Sequence, residues 1–138
     1  MASNLLDDLK QDEGLRLLPY KDTVGKLTIG YGLNLDAGIS EIEAHWLLQN
    51  RVNDIRRNLY SAFTWYRFLN DTRKDVIVNM VYNLGLAGVL RFKKLIERLE
   101  LHDYKGAAHE MLDSKWASQV GKRAERLAQT MMSGADND

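Results

Sequence analysis

Two carboxylates and one hydroxyl raise the chemical question. Glu13, Asp22 and Thr28 follow the pattern Glu-x8-Asp-x5-Thr near the start of a 138-residue chain. Glu13 ends a stretch with Leu5, Leu6 and Leu9 at helical spacing, and Gly14 follows as a stop signal. It is therefore expected in the last turn of a helix, where the macrodipole is negative. That field disfavours a second negative charge and suits a carboxyl group that keeps its proton, as a general acid must. Asp22 falls in a turn open to water, where it carries its charge. One protonated and one ionised carboxyl group make the division of labour that glycoside hydrolysis requires. One protonates the leaving oxygen; the other activates water or attacks. Thr28, on the strand after the turn, adds a hydroxyl that can hold the water. Each of these residues also has a plain surface reading, so the spacing alone does not decide.

The elements that must position them follow from caps, periodicity and glycines. Ser3 or Asn4 can cap the first helix. From 17 to 35, Gly25, Gly30 and Gly32 lie among the β-formers Tyr20, Val24, Thr28, Ile29 and Tyr31. Lys26 to Ile29 alternates polar and apolar, which predicts two or three short strands with a turn at 22–25. Ser40-Glu41-Ile42-Glu43 is a capping box. The helix it opens carries Ile42, Trp46, Leu47, Val52 and Ile55, and is expected to end near Leu59. Residues 61–68 are aromatic and less regular. Asp71 or Thr72 is expected to cap a helix with Val76, Ile77, Met80, Val81 and Leu84 as its buried stripe, broken by Gly85 and Gly88. Helices at 89–99, 103–113 and 121–132 follow, and the tail 133–138 is expected to fray. Trp46 and Trp116 are assigned to the core. A helix, a small sheet and then five or so helices make an α+β protein with the sheet segregated to one side.

Composition narrows the class. The chain is 45% hydrophobic and 28% charged, with one proline and no cysteine. That is an ordinary globular balance, without disulfides or thiolate chemistry. The apolar runs fall far short of the ~20 residues of a membrane helix. The N-terminus has no basic, apolar leader pattern, so no signal peptide is expected. The net charge is zero but unevenly spread. Residues 1–50 hold 8 acids and 4 bases, and residues 51–138 hold 11 acids and 15 bases. An acidic region beside a basic one suits a cleft that attracts a polyanion, or simply solvated helix faces. His45, His102 and His109 show no metal-ligand pattern and are expected to be structural or surface residues.

The whole N-terminal string is more specific than its parts. Asp12-Glu13-Gly14-Leu15-Arg16-Leu17, Tyr20-Lys21-Asp22-Thr23-Val24-Gly25 and Leu27-Thr28-Ile29-Gly30-Tyr31-Gly32 resemble the active-site region of the phage-type lysozymes. Asn79-Met80-Val81-Tyr82-Asn83-Leu84-Gly85 resembles that family's central helix and its exit. Ser114-Lys115-Trp116 and Lys122-Arg123-Ala124-Glu125-Arg126 resemble its C-terminal segment. The resemblance covers nearly the whole chain. It implies a mostly helical lysozyme-like α+β fold, with a small antiparallel sheet lobe and a helical lobe flanking a cleft. It implies one catalytic domain over 1–138: a sheet lobe at about 14–39, a bridging helix at 40–59, and a helical lobe from 1–13 and 60–138.

By the same resemblance, Glu13 would be the general acid, with Asp22 and Thr28 positioning the attacking water. Arg123 would pair with the catalytic glutamate and oppose the dipole effect. Asn34 and Tyr82 would touch the saccharide. The activity implied is a muramidase, cleaving the β-1,4 bond between N-acetylmuramic acid and N-acetylglucosamine. No cofactor or metal is implied. The partner would be cell-wall peptidoglycan, met by a monomer without nucleic acid or stable membrane insertion. Such an endolysin would be made in the host bacterial cytoplasm and reach the wall after release. The family's pattern is departed from at Leu33, where histidine is common, and by a shortened stretch between Gly32 and Trp46.

Two other readings compete. A lytic transglycosylase uses a glutamate acid on a similar scaffold but needs no water-positioning Asp and Thr, so Asp22 and Thr28 argue against it. A helical nucleic-acid binder would be expected to carry net positive charge, which this chain lacks.

Overall fold

The structure is a computed structural model, and it describes residues 4–135. The candidate cap Ser3 and positions 136–138 of the tail lie outside the described residues. The chain divides into two compact units, Met1–Leu47 and Leu48–Asp138. Together they hold the α+β content expected: a three-stranded antiparallel sheet and a majority of helix.

The first unit opens with helix α1 (Leu5–Glu13). Asn4 caps it, its side chain accepting from Leu6 N and Asp7 N, and the Gly14 N–H closes the other end on Lys10 O. Strands β1 (Arg16–Lys21), β2 (Leu27–Gly30) and β3 (Leu33–Asn34) follow in the order β1-β2-β3. Tyr20 pairs with Thr28, and Thr28 with Asn34, so one row runs across the sheet. The register slips between Arg16 and Tyr20. Pro19 sits in that irregular stretch of an edge strand, where a missing N–H costs the ladder nothing. A short 3-10 turn at Leu35–Ala37 leads out of the sheet.

Helix α2 (Glu41–Ala62) opens on the expected capping box. Ser40 N donates to Glu43 Oε1 at 2.9 Å and Glu43 N to Ser40 Oγ at 3.1 Å. The helix runs three residues past Leu59, and Leu59 is its one buried residue. Val52 and Ile55 pack partly against the core, whereas Ile42 and Leu47 are exposed. Trp46 is exposed too, which corrects its assignment to the core. The first half of α2 buries no side chain, so periodicity there marks an amphipathic face without a packed one.

The second unit is a helical bundle. It contains α3 (Thr64–Phe68), α4 (Asp71–Leu90), α5 (Lys93–Glu100), α6 (Tyr104–Leu112), α7 (Lys115–Val120) and α8 (Lys122–Ser133). The irregular aromatic stretch thus contains a short helix. Asn70, not Asp71 or Thr72, caps α4: its side chain accepts from Arg73 N. Asp71 then occupies the first turn, where the dipole favours an acid, and Thr72 Oγ1 donates to Gly134 O at 2.7 Å.

The stripe on α4 is buried as expected at Val76, Ile77, Met80 and Val81, with Leu84 half-buried. Gly85 breaks the helix with φ 76° and ψ 159°, but Gly88 stays inside the run that resumes. Residues 89 and 90 therefore end α4 rather than open α5, and the two helices bend by 98°. Helix α7 has no counterpart in the expectations. It is under two turns long, too short for periodicity to reveal, and is bounded by the Ser114 cap and Gly121. Seven helices follow Ser40 among the described residues, against the five or so expected. Trp116 is buried as expected, in a core shared with Ile77, Met80, Leu95, Leu99, Met111 and Met131.

Candidate active site

The chemistry of the first unit is positioned by turns. Glu13 is the last residue of α1 and is exposed. Its carboxyl group lies directly over the Gly32 backbone. A Cβ built at Gly32 would stand 2.3 Å from Glu13 Oε2, and Gly32 has φ +73°. A side chain at Gly32 would face that unfavourable φ and would push the Glu13 carboxyl group aside. The Lys10 ammonium, one turn earlier, sits 5.5 Å from the centre of the Tyr31 ring. The end of α1 is thus set against the β2–β3 turn by two neighbouring contacts.

Asp22 and Thr28 are joined through the main chain of Lys26. Asp22 Oδ1 accepts from Lys26 N at 2.8 Å and from Val24 N at 3.0 Å. The Lys26 carbonyl accepts from Asp22 N at 2.9 Å and from Thr28 Oγ1 at 2.9 Å. Aspartate forms such turns readily because its side chain bonds the N–H groups just ahead of it. Thr28 is buried, 4% exposed, and its hydroxyl proton is committed to Lys26. Toward any further group that hydroxyl is an acceptor.

Asn34 faces Thr28 across the β2–β3 ladder, and directly opposed residues share a face of the sheet. Its Oδ1 caps the 3-10 turn by accepting from Asp36 N at 3.0 Å, while Asp36 Oδ2 accepts from Leu27 N at 3.2 Å. Leu33, at the position where the family often has histidine, pairs with Ile29. The first unit therefore holds Glu13, Asp22, Thr28 and Asn34.

Arg123 and Tyr82 belong to the second unit. Arg123 is clamped to α4: its Nε and Nη2 donate to Asn79 Oδ1 at 3.0 and 2.6 Å. Tyr82 is 51% exposed. It lines a groove of about 560 Å³ with Ile55, Asn58, Gly85 and Leu86. Trp116 is fixed to the same helix, its indole Nε1 donating to Asn83 Oδ1 at 2.9 Å.

Sequence reasoning missed the residues that hold the others. Lys26 acts through its backbone alone, so its side chain gave no sign. Gly32, Asn79 and Asn83 lie inside quoted motifs, but spacing did not reveal what they touch. Among the described residues no group of three or more His, Asp or Glu side chains is arranged to hold a metal ion.

An acid at a helix end, a tied Asp and Thr on a small antiparallel sheet, and a separate helical bundle define a lysozyme-type α+β enzyme. Residues 10–130 match the model of the phage lysozyme family. The chain belongs to that family. It is 30% identical to "Probable T4-type lysozyme 2" of Dictyostelium discoideum, over 97% of this chain and 96% of the relative. The identity to "Probable T4-type lysozyme 1" of the same organism is also 30%, over 99% and 98%. An "Endolysin" of Acyrthosiphon pisum secondary endosymbiont phage 1 is 29% identical over 83% of this chain and 80% of its own. The first of these alignments spans 165 positions, more than this chain has residues, so it contains insertions in the relative.

Proposed function

We propose that this lysozyme is a peptidoglycan muramidase, cleaving the β-1,4 bond between N-acetylmuramic acid and N-acetylglucosamine. Glu13 donates its proton to the glycosidic oxygen as the bond breaks. Asp22 and Thr28 hold the water that attacks the anomeric carbon, and Asp22 draws off its proton. The observation that carries this reading is the double tie of Asp22 and Thr28 to Lys26. It leaves one carboxylate oxygen of Asp22 and the lone pairs of Thr28 Oγ1 as acceptors in one fixed arrangement, as a bound water's two hydrogens require. Asn34, in the same row of the sheet, and Tyr82, open on its groove, are assigned to saccharide contact, and Arg123 to a supporting part. The enzyme acts on the cell wall after leaving the cytoplasm in which it is made.

The test is digestion of purified peptidoglycan by the parent and by Glu13→Gln, with fragments read by mass spectrometry. The parent should give hydrated reducing ends. Glu13→Gln should lose roughly 10²–10⁴-fold in rate, the range for a general acid. Anhydro-muramyl ends would instead make the enzyme a lytic transglycosylase and remove the roles of Asp22 and Thr28. Equal digestion by both proteins would assign the acid elsewhere.

A further inference from the structure

Tyr60 lines a groove of the helical unit that the proposed reaction does not use. The groove has a volume of about 710 Å³ and lies between the C-terminal half of α2 and the first turns of α4. That is within the ~300–1,000 Å³ typical of small-ligand sites. Tyr60 is 57% exposed. Its ring is supported by Arg67, whose guanidinium carbon stacks 4.8 Å from the ring centre. Arg67 is itself anchored, its Nε donating to Tyr60 O at 2.7 Å. Arg67 covers one face of the ring, and at 57% exposure the residue keeps open surface for a ligand.

The polar groups suit hydroxyls rather than a polyanion. Arg56 and Asp75 reach toward each other from α2 and α4 at 3.4 Å, both side chains more than half exposed. Exposed pairs of this kind hold weakly, so their planar ends are free to exchange partners. Arg57 is neutralised by its pairing with Asp54. Lys74 and Asp71 add one charge of each sign to the lining. A polyanion site needs a surplus of cations, and this groove has almost none. Tyr66, 3% exposed, also lines the groove, and burial pushes its phenol above the ordinary tyrosine range. It stays a neutral hydroxyl, able to donate and to accept.

We propose that this groove is a second, non-catalytic saccharide site, with Tyr60 stacking on the C–H face of an N-acetylated sugar while Arg56 and Asp75 bond its hydroxyls. The choice of an N-acetylated glycan rests on the muramidase reading; the groove's fit to a neutral saccharide does not.

The test titrates isotopically labelled, full-length Glu13→Gln with a tetramer of N-acetylglucosamine and follows backbone amide shifts. Saturable shifts at Tyr60, Ser61, Lys74 and Asp75 are expected. Adding Tyr60→Ala should weaken binding at these amides about tenfold, the loss of one good aromatic contact, while Tyr60→Phe should retain it. With Glu13 intact, Tyr60→Ala should slow clearing of whole cell walls and leave cleavage of short soluble glycans unchanged. Still amides at these four residues would overturn the proposal. So would equal shifts with a heparin-type polyanion. If Glu13→Gln digests walls like the parent, the catalytic assignment fails while the titration stands. If digestion needs Glu13 but the four amides do not respond, the groove proposal fails alone.

Discussion

The two units use burial in opposite ways. Among the described residues, every buried apolar side chain lies at Leu59 or beyond, in the helical unit. The buried residue of the sheet unit is Thr28, a polar one. Large apolar side chains of that unit, such as Leu17, Leu18 and Val24, are more than 70% exposed. The helical unit is held by packing and the candidate site by hydrogen bonds in turns. Substitutions should therefore separate: those in the packed core of the bundle cost stability, and those among the turns of the sheet unit cost turnover.

The largest expected effect tests the bundle. Ile77 is fully buried, and Ile77→Ala should cost about 2–5 kcal/mol, since cavity and transfer losses add. Denaturant unfolding gives the value, and turnover per folded molecule should stay at the parent level. A cost under about 1 kcal/mol would dissolve the contrast between the units. Next come two glycines of the sheet unit. Gly32 and Gly30 both have positive φ, but only at Gly32 would a Cβ meet the Glu13 carboxyl group. Gly32→Ala should lower wall cleavage on the order of 10²-fold, as an ångström of misplacement does. Gly30→Ala carries the backbone strain without the displacement and should lose far less activity. Equal losses would mean that strain, not carboxyl position, governs the site.

Polar contacts in the bundle give smaller effects. Asn83→Ala leaves the buried Trp116 Nε1 without its acceptor. About 1–3 kcal/mol of stability should be lost, again with turnover per folded molecule intact. The smallest effect is a pH dependence at the start of α2. Hydrogen bonds from the Ser40 backbone and hydroxyl hold the Glu43 carboxyl below the usual glutamate range. Its contribution is thus present above the ordinary glutamate pKa and fades as pH falls through the lower folded value. Carboxyl chemical shifts of Glu43 followed downward in pH should show that displacement, and Ser40→Ala, which removes the hydroxyl but keeps the backbone N–H, should reduce it only in part.

The same contrast decides what the sequence disclosed. In the bundle, periodicity exposed the α4 stripe because packing imposes a repeat, and capping chemistry exposed the start of α2. It failed where the repeat was short, at α7, or where a stripe had no packed face, at Trp46. At the start of α4 the sequence reading offered Asp71 or Thr72, and the cap proved to be Asn70, a choice set by backbone angles that no composition encodes. In the sheet unit Glu13, Asp22 and Thr28 were singled out by type and spacing together with the resemblance of the whole string to a known family. The contacts that orient them were not, because they run through the backbone of Lys26 and the missing side chain of Gly32.

Lys26 therefore has an unusual place in the genetics of this enzyme. Its contribution is a peptide N–H and a peptide C=O, which nearly every amino acid supplies equally well. A scan that replaces side chains with alanine would score the position as neutral. Proline, which has no N–H to offer Asp22, would silence it at once. The residue that connects the candidate base to its partner hydroxyl can thus drift in identity while its role stays constant, so its importance would not register as conservation.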